Sequence, residues 1–187
     1  MKKLFTLLAL TISFSMNAQM SDNSSGTSAS GTNAVAMGDG TTASGSVSTA
    51  MGALTTASGI LSTAMGYQTT ASGYASTAMS YQTTASGNYS KAMGRETTAS
   101  GNYSIAMGRN TTASDFGSTV IGRYNSSGSS ATSADSFSTS APAFVVGNGA
   151  DSSNKSDAFK VMFNGDTTVS NDLTVSGDVV ISSDARL

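Results

Sequence analysis

Acidic side chains carry most of the reactive chemistry available to this chain, since the sequence contains no His and no Cys. Catalysis and metal binding by imidazole or thiolate are thereby excluded. Hydrolysis of a glycan would require two carboxylates on one face of the fold. In the first part of the chain Asp39, Glu96 and Asp115 are far apart, and no acidic residue recurs at equivalent positions. The sequence therefore predicts that the protein is not an enzyme and uses no cofactor.

Acidic residues also occur in the second half of the chain, at Asp151, Asp157, Asp166, Asp172 and Asp178. They do not form the Asp-x-Asp-x-Asp-Gly loop or the glycine- and aspartate-rich nonapeptide that is typical of calcium sites. No metal site is therefore predicted. The net charge of -2 gives no electrostatic basis for binding nucleic acid.

A fourteen-residue unit recurs from about residue 27 to about residue 129 and organises the chain. Its constant parts are Thr-Thr-Ala-Ser-Gly and Ala-Met-Gly, and no insertion or deletion interrupts them. The methionine column consists of Met37, Met51, Met65, Met79, Met93 and Met107, with Ile121 in the last unit. Strict self-similarity at a short period is typical of stacked repeats. This periodicity outweighs the Ser/Thr/Gly-rich composition, which by itself would indicate disorder.

Each unit is predicted to form one coil of an all-β parallel solenoid, with two short strands per coil. Strand alternation places Ser62 and Ala64 on one face, and Thr63 and Met65 on the other. Ala71, on the second strand, is expected to face Ala64 across a thin interior. Seven such coils would form a stack about 30 Å tall.

Glycine occupies two positions of the unit at which the chain must turn, one after Met and one after Ser. Tight turns often need positive φ, which glycine adopts without steric cost. Ser80 and Asp115 replace glycine in single units, and irregular turns are expected there.

The methionine column, including Ile121, is predicted to lie on the outer face of the coil. Two alanines per coil bury little apolar area and cannot offset the ordering of fourteen residues. A continuous apolar ladder on the surface requires a partner. We therefore predict a homotrimer in which this column is the interface. The alternative is a single solenoid whose methionines fill the interior.

The residue that follows each Ala-Met-Gly changes from unit to unit, and a possible binding edge consists of Tyr67, Tyr81, Arg95, Arg109 and Arg123. Tyrosine and arginine are enriched in recognition surfaces. A glycan or a matrix protein, from a host or from the environment, is therefore a predicted partner. The other bend carries Tyr74, Tyr89, Tyr103 and Phe116. The alternative is a solvated edge on which tyrosines stack.

Ice binding is a second hypothesis, because flat solenoids with threonine ladders order water and a pair such as Thr69-Thr70 recurs in each unit. Adjacent residues of a strand point to opposite faces, so only one of the two threonine columns would face outward. The sequence also lacks an alternating Thr-x-Thr pattern, which makes this hypothesis the weaker one.

The segment 101–108, Gly-Asn-Tyr-Ser-Ile-Ala-Met-Gly, and its copies resemble the head repeats of trimeric autotransporter adhesins, called YadA-like heads. The resemblance covers about residues 30 to 124. It implies a left-handed parallel β-roll that trimerises and binds host surfaces or matrix. No heptad stalk follows the repeats, so autotransport and membrane anchoring are not carried over from that family.

Residues 1–18 are predicted to be a secretory signal peptide. Lys2 and Lys3 precede an apolar run from Leu4 to Phe14, and Ala18 is a suitable small residue for cleavage. The run is too short to span a bilayer comfortably. We expect export to the extracellular space or the cell surface, in association with the outer membrane, and no membrane span in the mature chain. A polar lead-in at 19–26 precedes the repeats at 27–129.

A Ser-rich linker at 130–142 is followed by a segment at 143–187 that is predicted to form short β-strands distinct from the repeats. The alternation of Phe159, Val161 and Phe163 before an Asn-Gly pair predicts a strand that enters a tight turn. Two further strands around Gly177 are predicted from Leu173, Val175, Val179 and Ile181. These strands are too short to bury a core alone, so intertwining between chains is expected.

The residues 182–187, Ser-Ser-Asp-Ala-Arg-Leu, resemble the start of the endosialidase-type intramolecular chaperone of phage tail-fibre and tail-spike-like proteins. The segment before them resembles the lead-in to that chaperone, which assists trimer assembly and then cuts itself off at a Ser-Asp bond. The resemblance implies cleavage between Ser183 and Asp184, with Ser183 as the nucleophile. The Lys expected as its partner would follow Leu187, so cleavage by these residues alone is not expected.

The leading functional hypothesis is a secreted or cell-surface structural and adhesive protein whose β-roll head mediates attachment. The alternatives are an ice-binding solenoid and a tail-fibre-like protein matured by an autocleaving chaperone.

Overall fold

The computed structural model describes residues 20–21 and 25–176, and the regular structure within these residues is entirely β. Each fourteen-residue repeat forms one coil with a long strand of five residues and a short strand of two. The all-β solenoid with two strands per coil is thereby confirmed. The left-handed winding stays a prediction.

The long strands are β3 (Val35–Asp39), β5 (Thr49–Ala53), β7 (Thr63–Tyr67), β9 (Thr77–Tyr81), β11 (Lys91–Arg95), β13 (Ile105–Arg109) and β15 (Thr119–Arg123). The short strands are β2 (Ser28–Ala29), β4 (Thr42–Ala43), β6 (Thr56–Ala57), β8 (Thr70–Ala71), β10 (Thr84–Ala85), β12 (Thr98–Ala99) and β14 (Thr112–Ala113). The other described strands are β1 (Met20–Ser21), β16 (Pro142–Asn148), β17 (Asp157–Met162) and β18 (Thr167–Val169).

The long strands and the short strands form two separate sheets. Within the repeats, neighbouring strands of each sheet are parallel, and every residue pairs with its equivalent in the next coil, as Ala64 pairs with Ala78. Parallel strands lie about 4.8 Å apart. Equivalent side chains therefore form straight columns along the stack, as the unbroken period predicts.

The interior of the stack contains only small side chains. Ala64 and Ala71 are both 0% exposed, which confirms that the alanines of the two strands face the interior. Ser62 and Thr69 are also buried, at 1% and 0% exposure. The two sheets can approach closely because nothing larger than threonine separates them in these coils.

The two glycine columns meet different requirements, which corrects the expectation that both provide positive φ. Gly52 has a φ of 120°, as expected for a bend that glycine tolerates, and a Cβ there would also lie 2.0 Å from the carbonyl oxygen of Gly66. Gly45 lies outside the left-handed region, but a Cβ there would lie 2.0 Å from the carbonyl oxygen of Gly59. The column after Ser is therefore glycine because the next coil lies too close for a side chain.

Ser80 does not produce the irregular turn that was expected. It keeps a positive φ of 95° and pairs in register with Gly66 in the coil below and Gly94 in the coil above. A non-glycine residue with positive φ is strained. The regular pairing on both sides therefore holds Ser80 in a conformation like that of the glycines at equivalent positions.

The chain leaves the repeat register after Tyr124 and returns to the same sheet at β16. This strand pairs in parallel with β15, with Val145 opposite Val120. Val145 is 0% exposed and continues the inner column of the long strands. The segment that was predicted to be distinct from the repeats thus begins with one more strand of their sheet.

Two antiparallel strands, β17 and β18, complete this end of the sheet. The turn between them contains Gly165, with a φ of 94°, and the Met162 N–H donates to the Asp166 carbonyl over 2.8 Å. The predicted strand and its Asn-Gly turn are confirmed. Leu173 and Val175 lie in residues 171–176, which form no strand, so their prediction as strand residues is wrong. Val179 and Ile181 lie outside the described residues.

The opposite end of the long-strand sheet is extended by β1. Met20 pairs with Val35 and Ser21 pairs with Ala36, again in parallel. Part of the segment interpreted as a polar lead-in therefore adds a strand before the first coil.

Candidate functional site

The methionine column lies on the outer face of the long-strand sheet. In-register pairing sets Met51 beside Met65, and Met93 beside Met107. Met37 and Met65 are 39% and 37% exposed, and the other members, including the isoleucine of the last coil, are half-buried. Because the preceding alanine points into the interior, the methionine must point outward. The result is a continuous apolar strip along one face.

A second column flanks this strip two residues earlier in each strand. Thr63 and Ile105 are half-buried there, whereas Lys91 is exposed. On this side the apolar strip is flanked mainly by uncharged side chains, with a single cationic position in the coil that contains Lys91.

The Tyr/Arg edge, defined by Tyr67, Tyr81, Arg95, Arg109 and Arg123, lies at the ends of consecutive long strands. The rings of Tyr67 and Tyr81 stack with centroids 5.4 Å apart. The guanidinium carbon of Arg95 lies 5.4 Å from the Tyr81 ring centroid, a cation–π contact. The structure therefore brings these predicted residues together as one connected surface.

Tyr124 belongs to the same surface, although it was not among the residues predicted for the edge. Arg109 and Arg123 both lie 5.7 Å from its ring centroid. Arg123 Nη2 also donates a hydrogen bond of 2.6 Å to the Ala150 carbonyl. The signal available in the sequence was the adjacency of an arginine and a tyrosine at the end of the last regular coil.

Glu96 brings a negative charge to the middle of this edge. Asn110 Nδ2 donates to Glu96 Oε2 over 2.6 Å, and Arg95 Nε donates to Oε1 over 3.1 Å. These contacts hold the pKa of Glu96 below its ordinary value, with the hydrogen bond from Asn110 as the largest cause and the charges of Arg95 and Arg109 as smaller ones. The edge therefore presents an ordered mixture of aromatic, cationic and anionic groups.

The other bend carries a tyrosine ladder made of Tyr74, Tyr89, Tyr103 and Phe116. Tyr89 and Tyr103 stack at 4.8 Å, and Phe116 lies 5.2 Å from Tyr103. The ladder is aligned by asparagines, since the Tyr74 N–H donates to Asn88 Oδ1 over 2.9 Å. Aromatic groups therefore line both bends of the stack.

The acidic residues considered for catalysis are not brought together. Asp39 and Glu96 lie on different coils, and Asp115 is buried, with its Oδ1 accepting hydrogen bonds from the N–H groups of Thr132 and Ser133 at 2.5 and 2.7 Å. No group of three or more His, Cys, Asp or Glu residues in the described part of the chain is arranged to hold a metal ion. Through these hydrogen bonds, Asp115 holds the loop that contains Thr132 and Ser133.

Asp151, one of the acids weighed for calcium binding, closes a local turn. Its carboxylate accepts hydrogen bonds from the side chain of Asn154 and from the backbone N–H groups of Asn154 and Ser153. These bonds, of which those from the Asn154 side chain contribute most, lower the pKa of Asp151, and the charge of Arg123 adds to the effect.

Four segments of the chain match the family model of the YadA head domain repeat, at residues 29–55, 57–79, 85–111 and 99–125. These segments coincide with the regular coils of the solenoid, and the match supports a YadA-like head. Comparison with curated proteins gave no significant match. Within residues 20–21 and 25–176, no helix is long and apolar enough to cross a membrane. The chaperone-like cleavage site stays a prediction, since Ser183 and Asp184 lie outside the described residues.

Proposed function

We propose that this chain is an exported attachment protein whose YadA-like head is a homotrimer at the cell surface or in the surrounding medium. The methionine column is the observation that carries this proposal. Its members form an unbroken apolar strip on the outer face of the long-strand sheet, and two of them are more than one third exposed.

The small interior of a single chain is the second support for assembly. Alanine, serine and threonine fill the coils, so the apolar area buried per coil is low relative to the conformational entropy lost on ordering it. Three methionine columns that meet at a common axis would bury the additional apolar area that the fold requires.

The assembly is tested with the solution mass of residues 20–187, measured by light scattering after size-exclusion chromatography. We expect a trimer for the wild type. A variant that combines Met65→Asp, Met79→Asp and Met93→Asp should lose the trimer mass, because three charges per chain would be buried without partners.

The matched control carries Thr32→Asp, Ser46→Asp and Ile60→Asp, which add the same number of charges in one column at the other bend. It should remain a trimer with an unchanged circular dichroism spectrum. A wild-type monomer that is fully folded, or a folded trimer of the methionine variant, would refute the proposed interface.

Attachment itself is assigned to the Tyr/Arg edge, where stacked rings or arginines occupy the ends of five consecutive long strands, from β7 to β15. We expect the assembled protein to bind selected glycans or matrix proteins in an array. Replacing Tyr81 and Arg95 by Ala should weaken that binding by at least tenfold, since such residues dominate recognition energetics.

Phe137→Ala is the control for this experiment, because Phe137 is an exposed aromatic residue in the loop beyond the repeats. It should leave binding unchanged. Equal binding by the edge variant and the wild type would exclude the edge as the contact surface. The proposed trimer is tested separately, by the solution mass.

A further inference from the structure

The outer face of the short-strand sheet consists of hydroxyl side chains in two parallel columns. This hydroxyl face is formed by Thr42, Thr56, Thr70, Thr84 and Thr98 in one column and by Ser44, Ser58, Ser72, Ser86 and Ser100 in the other. The threonines are half-buried and most of the serines are exposed. The two columns contain no charged and no aromatic residue, unlike the bends on either side of them.

The two columns form a regular two-dimensional array. Thr70 and Ser72 lie on either side of Ala71, which points into the interior, so both face outward. The Thr70 N–H donates to the Thr83 carbonyl at 2.8 Å and the Ser72 N–H to the Ala85 carbonyl at 2.9 Å, so the backbone is paired across both columns. Hydroxyl groups therefore repeat about every 4.8 Å along the stack and about every 6.7 Å across it.

This geometry adds a second hydroxyl column to the one that the sequence predicts. One threonine column faces outward and the other is buried, as expected, with Thr69 at 0% exposure. The Thr-x-Thr pattern is absent, as expected, but Ser72 and its equivalents supply a second outward column of hydroxyl groups. The alternation is Thr-Ala-Ser, and each coil contributes one threonine and one serine to the face.

The hydroxyl groups of this face are not engaged elsewhere among the described residues. The hydrogen bonds of Thr70 and Ser72 are made by their backbone groups. Threonine is stiff at χ1, and stacking of identical residues in register restricts it further. The array is therefore ordered before any partner arrives, which lowers the entropic cost of binding.

The chemistry of the face indicates which partner it fits. Proteins and glycans are usually recognised through aromatic or charged anchors, and these groups lie at the bends instead. A regular, uncharged lattice of hydroxyl groups complements a surface that repeats oxygen atoms in two dimensions at similar intervals. A prism face of hexagonal ice is such a surface.

We propose that the hydroxyl face binds ice, by holding a layer of water molecules in positions that continue into the crystal. This activity is independent of the attachment proposed above, since the methionine column lies on the other sheet and the Tyr/Arg edge lies at a bend. A trimer assembled through the methionines would leave three hydroxyl faces accessible.

The test uses residues 20–187 and measures the shape of ice crystals and the inhibition of ice recrystallisation. We expect the wild type to facet growing crystals. Thr70→Tyr combined with Thr84→Tyr should raise the concentration needed for inhibition at least tenfold, because two bulky rings would lift the centre of the face off the lattice. Ser152→Tyr, in the exposed turn between β16 and β17, is the control and should match the wild type.

Circular dichroism establishes that each variant is folded. If the threonine variant fails to fold, Ser58→Lys with Ser72→Lys tests the same face at exposed positions. Unperturbed ice growth in the presence of folded wild type would overturn the proposal, as would full activity of a folded face variant. Binding to crystalline cellulose or chitin without any effect on ice would also overturn it, and would assign the face to a polysaccharide.

Discussion

The regular coils share the long-strand sheet with the upper end of the stack, which is the end formed by β15 and β16. The two regions carry different side chains. In the coils, the inner column of the long strands is alanine, whereas Val120 and Val145 occupy it at the upper end, and both are 0% exposed. The glycine after Ser becomes Asp115 in the last repeat. A Cβ at Gly101, one coil below, would lie 2.2 Å from the Asp115 carbonyl oxygen.

The comparison shows that the coil above imposes the small side chains of the repeats. The short-strand sheet ends at β14, so the regular coils do not continue above Asp115. There the chain accepts a side chain at the glycine position, and valine replaces alanine in the interior. The local bend alone would not require glycine at this column.

The largest expected effect comes from adding one methyl group inside the stack. Gly73 has no positive φ, but its Cβ would lie 2.0 Å from the carbonyl oxygen of Gly87. Gly73→Ala should therefore destabilise the protein by more than about 4 kcal/mol, or prevent folding, because backbone of two coils must separate. Urea denaturation followed by circular dichroism measures this change.

Gly165→Ala is the matched control for that substitution. Nothing lies within 4 Å of its Cβ position, although its φ is 94°. The cost should be about 1 kcal/mol, from backbone strain alone. If the two variants lost the same stability, close approach of the coils would not be the reason for glycine at Gly73.

A smaller effect is expected at the upper end, where Asp115 replaces glycine. Asp115→Ala removes the acceptor for the N–H groups of Thr132 and Ser133. Leaving a fully buried donor unpaired costs about 1 to 3 kcal/mol, and since these two hydrogen bonds are only partly buried we expect a loss at the lower end of that range. Denaturation at fixed protein concentration measures the loss, and hydrogen exchange of those two amides locates it.

Asp115→Asn keeps an oxygen in the place of Oδ1 and should retain more than half of the lost stability. Fast exchange of the two amides should appear in the alanine variant and be largely absent in the asparagine variant. Slow exchange in both would show that the loop is held at the upper end by other contacts.

Much of the repeat region was predictable from the sequence, because strand alternation and a fixed period are local properties. Ala64 and Met65 are adjacent residues of one strand, so their opposite faces followed from alternation. The same reasoning predicted that only one of the two adjacent threonine columns faces outward. The left-handed backbone at Val47 and Leu61, with φ values of 57° and 60°, was not predictable, since neither residue type favours it.

For the candidate site, the sequence predicted which residues share a column along the stack, but not how their side chains contact one another. The positions of Tyr81 and Arg95 in adjacent coils follow from the period, but the contacts of the Tyr124 ring with both Arg109 and Arg123 do not. They depend on side-chain directions at the bend, and these are set by packing between coils. The outward serines were missed because strand alternation was applied to the adjacent threonines and not to Ser72, through which backbone pairing continues.

The sequence by itself determined the period, the inner and outer columns and the all-β class, because each depends on residues that are neighbours in the chain or equivalents one repeat away. The tertiary structure decided where β16 joins, why Gly45 is a glycine although it has no positive φ, and how Asp115 holds the loop above it. Those features depend on atoms that are distant in the sequence and meet only when one coil is stacked on the next.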